Sequence, residues 1–229
     1  MTVEDYKNGQ VILIDKPLKW TSFQVVNKLR WAIKQRFNIK KIKVGHAGTL
    51  DPLATGLLIL CTGKFTKKID EFQAQVKEYT GTFTVGATTP SYDLETEINQ
   101  HFKIDHITDE LILNATQQFI GDIQQKPPLF SALKKDGKRL YELARAGETT
   151  EIKLRNINIS EFEITAINLP KIEFRVVCSK GTYIRSLAYD FGKALNSGAH
   201  LSELRRTKIG NFNVNNAISI DSFLTELNN

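Results

Sequence analysis

The chain has 229 residues, 41% of them hydrophobic and 24% charged, which is enough to bury a core as one generous domain and excludes a disordered chain. No apolar run approaches the roughly 20 residues of a membrane-spanning helix, and Met1-Thr2-Val3-Glu4-Asp5 lacks the features of a secretory signal, so a cytoplasmic location without membrane association is expected. Thirty-one Lys and Arg against 25 Asp and Glu leave a net charge of +6, which suits a polyanionic partner if gathered on one face and simple solubility if spread.

In chain order, Gln10 to Asp15 reads as a short buried strand closed by Asp15-Lys16-Pro17. A helix follows, with Thr21 and Gln24 placed as a capping box and Val25, Val26, Leu29 and Ile33 at helical spacing. Leu57 to Leu60 is a buried strand, and Lys77 to Gly86 alternates Tyr79, Gly81, Phe83 and Val85 against threonines, a half-exposed strand. Leu111 to Ile120 and Arg139 to Ala146 read as helices, separated by a long basic loop from Gln124 to Lys135 that contains Pro127-Pro128. Strand alternation resumes over Ile152 to Ile167 and Ile172 to Cys178, and helical period returns over Tyr183 to Leu195 and Ala217 to Leu227. Strands mixed irregularly with helices predict an α+β fold in one domain over residues 1–229.

The basic residues gather in three groups: Lys34, Arg36, Lys40, Lys41 and Lys43; Lys134, Lys135, Lys138, Arg139 and Arg145; and Arg205, Arg206 and Lys208. Cys61 and Cys178 sit in apolar stretches and are expected as reduced core thiols, and the four histidines lack metal-ligand spacing. The segment richest in glycine and polar residues is Gly45-His46-Ala47-Gly48-Thr49-Leu50-Asp51-Pro52-Leu53-Ala54-Thr55-Gly56, whose glycines permit a sharply folded loop beside a buried strand. Asp51 there is either a rigidly presented carboxylate or an ordinary Asp-Pro turn starter. Gly63-Lys64-Phe65-Thr66 does not make a phosphate-binding loop, because Phe65 stands where a Ser or Thr would be required.

That glycine-rich string, continued by Leu57-Leu58, resembles the active-site signature of the TruB-type tRNA pseudouridine-55 synthases. The resemblance extends through Asp15-Lys16-Pro17, Thr21-Ser22, Lys77-Glu78-Tyr79, Pro127-Pro128, Ser131-Ala132-Leu133-Lys134, Gly137 to Glu142, Cys178 to Arg185 and Leu204-Arg205-Arg206-Thr207. It implies a pseudouridine synthase fold, a mixed and mostly antiparallel sheet flanked by helices with a central RNA-binding cleft. It also implies isomerisation of one T-loop uridine of tRNA, without cofactor or metal, by a monomer.

The resemblance makes Asp51 the catalytic aspartate, a nucleophile or an electrostatic stabiliser of ribosyl cation character. Arg185 matches the arginine that pairs with this acid, with a tRNA phosphate contact as its alternative. His46 resembles the residue that fills the RNA stack as the base leaves, and Tyr79 the aromatic that packs on the flipped uracil, where the residues alone suggest a core-facing strand tyrosine. Asp93, Tyr183 and Leu204 correspond to residues lining the uridine pocket. The sequence departs from the family at Lys19, where glycine is common, and at Thr88-Thr89-Pro90-Ser91-Tyr92-Asp93; no C-terminal PUA module is expected before Asn229. Binding then falls to the 124–145 loop and the 205–208 cluster. The alternatives are a catalytically silent RNA-binding protein, for which Asp51 is dispensable, and another pseudouridine synthase family.

Overall fold

The structure is a computed structural model that describes residues 1–131, 133–135, 137–148 and 150–229. The chain divides into two compact units, one of Met1–Tyr79 with Leu204–Asn229 and one of Thr80–Glu203.

The first unit opens with α1 (Val3–Asn8), where Thr2 and Asp5 form a capping box. Next come β1 (Val11–Lys16) and α2 (Ser22–Arg36), then β2 (Val44–His46) and β3 (Ala54–Thr62). The expected box at Thr21 and Gln24 caps α2 as the sequence indicates: the Thr21 side chain accepts from Gln24 N–H while the Gln24 side chain accepts from Thr21 N–H. After β3 come α3 (Ile69–Ala74) and β4 (Lys77–Val85), whose first three residues close this part of the unit.

The second unit takes the rest of β4 and adds β5 (Ala87–Thr88), β6 (Gln100–His101), α4 (Asp109–Thr116) and β7 (Gly121–Gln125). It continues with β8 (Lys134–Lys135), β9 (Lys138–Arg139), α5 (Leu140–Arg145), β10 (Arg155–Asn168), β11 (Lys171–Cys178), α6 (Ile184–Ala194) and the start of β12 (Ala199–Ile209). Its strands run in the order β12-β4-β11-β10-β7, with β10 antiparallel to both its neighbours. Five phenylalanines fill its core: Phe83 stacks on Phe174 at 4.1 Å, and Phe119, Phe162 and Phe191 pack around them. The helix expected over Leu111 to Ile120 begins earlier, because Thr108 caps it, and gives way to a tight turn after Thr116. The expected loop from Gln124 is shorter than anticipated, since β7 claims Gln124 and Gln125 and a hairpin of β8 and β9 claims Lys134 and Lys135. Ala132, in the Ser131-Ala132-Leu133-Lys134 motif, lies outside the described residues.

The first unit is completed by the end of β12, β13 (Phe212–Asn213) and α7 (Ile220–Asn228), which starts at the Ser219 cap. Its sheet orders β1-β3-β12, with β2 on β3 and β13 on β12. β1 runs antiparallel to β3, Val11 opposite Cys61 through Lys16 opposite Gly56, whereas β12 runs parallel to β3 with Arg206 opposite Gly56. α2 and α7 cover one face through Val25, Val26, Leu29, Ile33, Phe223 and Leu227. Every residue of β3 except Thr55 is buried, as expected for a strand with both faces covered. The α+β class and the mostly antiparallel pairing therefore agree with the sequence expectation. Among the described residues no helix is long and apolar enough to cross a membrane, and no group of three or more His, Cys, Asp or Glu could hold a metal ion.

Candidate active site

Four of the expected site residues lie in the first unit: His46 on β2, Asp51 in the turn before β3, Tyr79 on β4 and Leu204 on β12. The turn is held by side chains from three separate elements. Ser22 Oγ accepts from Leu50 N–H at 2.8 Å and donates to the Leu50 carbonyl at 3.1 Å, so the residue before Asp51 is clamped to the first turn of α2. Arg206 donates from Nη2 to the Gly48 carbonyl at 3.0 Å and from Nε to the Leu57 carbonyl at 2.8 Å. Lys16 Nζ donates to the carbonyls of Trp20 at 2.6 Å and Pro17 at 2.9 Å, with Pro52, the residue after Asp51, at 3.5 Å.

Lys16 is fully buried. Burial pulls its ammonium down to about 8; the neighbouring Asp51 carboxylate works in the opposite direction, and Arg206 adds to the depression. Two buried cations thus stand around the backbone that carries Asp51. Beside them, burial and the Arg206 charge both lower the His46 imidazole, which is therefore neutral at pH 7, and its buried Nδ1 has no hydrogen-bond partner among the described residues. Tyr79 is buried, and its neighbour Glu78 ties β4 to β12 by accepting from Thr207 Oγ1 at 2.7 Å and Lys208 Nζ at 3.0 Å. Leu204 lies opposite Ala54 in the parallel pairing.

The other three expected residues, Asp93, Tyr183 and Arg185, lie in the second unit. Arg185 and Asp93 form a buried ion pair, Nε to Oδ2 at 3.6 Å. Arg185 also donates from Nη1 to the Ser91 carbonyl at 3.2 Å and from Nη2 to the Phe130 carbonyl at 2.9 Å, so its guanidinium is fixed against the segment that follows Pro127-Pro128. Tyr183 stands at the N-terminus of α6, where the buried Gln125 side chain donates to its carbonyl at 3.0 Å and accepts its N–H at 2.8 Å. Asp93 Oδ1 accepts from Glu95 N–H at 2.9 Å, and the Asp93 carbonyl accepts from the Thr89 and Ser91 hydroxyls.

A family model described as TruB family pseudouridylate synthase, N-terminal domain, matches residues 34–184, and one described as tRNA pseudouridylate synthase B C-terminal domain matches residues 185–228. The chain belongs to the TruB family. It is 68% identical over 224 residues to the tRNA pseudouridine synthase B of Flavobacterium johnsoniae, covering 97% of this chain and 98% of that one. It is 58% identical over 219 residues to the protein of the same name from Phocaeicola vulgatus, covering 96% and 93%. A solved Cbf5-Nop10-Gar1 complex contains a chain that superposes with a TM-score of 0.73 at 31% identity, covering 98% of this chain and 56% of that one. An H/ACA RNP bound to a substrate RNA containing 2'-deoxyuridine gives 0.68 at 28% identity, covering 96% and 53%. The chain thus spans just over half the length of these solved chains.

One expectation changes against this TruB framework, and one departure from it takes a definite form. The 205–208 cluster is not a free cationic patch: Arg206 is buried and engaged with two carbonyls, Arg205 makes a two-pronged pair with Asp15 at 2.7 and 3.0 Å, and Lys208 pairs with Glu78. Lys19, standing where TruB-type sequences commonly have glycine, takes a glycine-like backbone with φ of 66° and donates its N–H to the Pro52 carbonyl at 2.8 Å. Lys19 thus holds a left-handed conformation that is uncommon for a side-chain-bearing residue. The supports that sequence reasoning passed over are Lys16, Ser22, Gln125 and Arg206. Lys16 and Arg206 were visible as members of motifs, and the missing signal was their burial.

Proposed function

We propose that this TruB-family chain isomerises a T-loop uridine of tRNA to pseudouridine, acting as a monomer in the cytoplasm, with Asp51 as the catalytic carboxylate. The observation that carries this is the framing of Asp51: the residues on both sides of it are tied through their backbones, Leu50 by Ser22 and Pro52 by the Lys19 N–H, so the carboxylate is presented from a hydrogen-bonded turn. The names of the curated relatives supply the substrate class.

The reaction breaks the bond from uracil N1 to ribose C1′, turns the base, forms a bond from C5 to C1′, and moves the C5 proton away while N1 gains one. Asp51 supplies the negative charge that C1′ needs as it loses N1, by attack or by electrostatic stabilisation. Arg185 is the arginine that the family resemblance assigns to the reaction, and its orientation is set by Asp93, Ser91 and Phe130. Extruding a base costs a few kcal/mol, and stacking on an aromatic returns roughly 1–3 kcal/mol per base. Tyr79 packs against the flipped uracil, and neutral His46 enters the gap left in the stack without bringing a charge among the bases. The family resemblance assigns Asp93, Tyr183 and Leu204 to the uridine site. No step requires a cofactor or metal.

Incubating a T-arm transcript with the protein and with Asp51→Asn, then mapping pseudouridine chemically, tests the assignment. Wild type should modify the T-loop uridine and the variant should not. Turnover retained by Asp51→Asn removes Asp51 from the chemistry, and a different modified uridine refutes the substrate assignment.

A further inference from the structure

We propose that the outer face of α2, carrying exposed Phe23 and Trp31 among lysine and arginine side chains, is a second contact surface for the substrate RNA, outside the reacting uridine site. α2 buries Ser22, Val25, Val26, Leu29, Ala32 and Ile33. At 100° per residue these occupy one side, and Phe23, Asn27, Arg30, Trp31 and Lys34 fall within about 100° of arc on the other. Phe23 is 62% exposed and Trp31 57% exposed. Leaving two large aromatic rings in water on a single helix face is what an interaction surface looks like, where isolated exposed aliphatics need no explanation. Lys28 Nζ lies 5.7 Å from the centre of the Trp31 ring, and Arg30 Nη2 donates to Asn27 Oδ1.

Charge identifies the occupant. Residues 16–50 contain no Asp or Glu but nine Lys and Arg, of which only Lys16 is buried. So long a segment with cations and no acids attracts a polyanion, and phosphates for the cations with unpaired bases for the rings are what a single RNA strand offers. An acidic protein would match the charge but not the ring faces as a set. The surface is continuous with the candidate site: Phe23 follows Ser22, whose hydroxyl clamps Leu50 beside Asp51, and from Phe23 to Trp31 the helix advances roughly 12 Å. An RNA strand leaving Asp51 meets Phe23 first and Trp31 second.

This inference rests on the proposed tRNA reaction, and its test separates the two. In a Trp20→Phe background Trp31 is the sole tryptophan. Titration with a T-arm transcript should quench its fluorescence saturably, and the Asp51→Asn protein should be quenched equally. Phe23→Ala with Trp31→Ala should raise KM for the transcript at least about tenfold, the loss falling on KM rather than kcat. Changing Lys28, Arg30 and Lys34 together to Gln should flatten the slope of log affinity against log salt by about 2. All these positions are on the solvent side of α2, so thermal midpoints should hold. Absence of quenching, or a KM within twofold of wild type in the aromatic double variant, overturns the surface. A protein that is quenched yet makes no pseudouridine refutes the catalytic proposal and leaves the RNA surface standing.

Discussion

Arg206, from β12, reaches across the parallel pairing and donates to the Gly48 carbonyl at 3.0 Å, so the glycine-rich loop that carries Asp51 hangs on a buried guanidinium that begins 158 residues later in the chain. Its Nε is satisfied by the Leu57 carbonyl, which places one fork across both ends of the loop. Arg206→Met keeps an apolar stem but takes this donor from the Leu57 and Gly48 carbonyls, the first of them buried. The expected cost is about 3 kcal/mol in urea unfolding, with at least a tenfold loss of turnover. An unchanged urea midpoint would show that the loop holds its shape without the arginine.

Lys16 links stability to pH. Its folded-state pKa of about 8 lies below the roughly 10.4 of a free lysine, so between these values the unfolded chain binds more protons. Unfolding free energy should therefore rise with pH through that window, because the cost of burying the charge is fully present below pH 8 and is relieved as the ammonium loses its proton. The gain is up to about 3 kcal/mol. Urea titrations from pH 7 to 10 on wild type and Lys16→Met measure it, and the rise should be missing from the variant. Equal slopes in the two proteins would contradict the assignment.

The Asp93–Arg185 pair is buried on both sides, so removing one partner strands a charge. Asp93→Asn should lower stability by about 3 kcal/mol, the lower end for breaking a buried pair, and should reduce kcat because Arg185 loses one of the groups that orient it. Thermal unfolding and single-turnover kinetics read the two effects separately.

Gly56 stands opposite Arg206 with φ of 101°, and a Cβ there would meet the Arg206 carbonyl oxygen at 2.3 Å and its nitrogen at 2.8 Å. Gly56→Ala combines a clash against backbone with left-handed strain and should cost over about 3 kcal/mol. Gly121→Ala, with φ of 94° and open space around the added carbon, should cost only about 1–2 kcal/mol. Similar urea midpoints for the two variants would mean that the β3–β12 contact tolerates separation.

Local chemistry made several features readable before the structure. The Thr21–Gln24 box, the alternation in β4 and β11 and the glycine spacing around Asp51 each depend on residues a few positions apart. β12 was not readable that way. Its sequence Ala199-His200-Leu201-Ser202-Glu203-Leu204-Arg205-Arg206 spaces its apolar residues irregularly and buries an arginine, so neither strand alternation nor a hydrophobic run marks it. The small helices α1 and α3 were not anticipated from the sequence.

The sequence by itself determined the family signature, the α+β class and the placing of Asp51 in a tight turn, all of which follow from the order and spacing of neighbouring residues. Only the tertiary structure decided that Lys16 and Arg206 lie inside, that Arg205 is spent on Asp15 and that Arg185 is locked to Asp93. A cation's burial depends on carbonyls and carboxylates supplied from distant parts of the chain, and no local pattern of residues records whether folding will bring them within hydrogen-bonding distance.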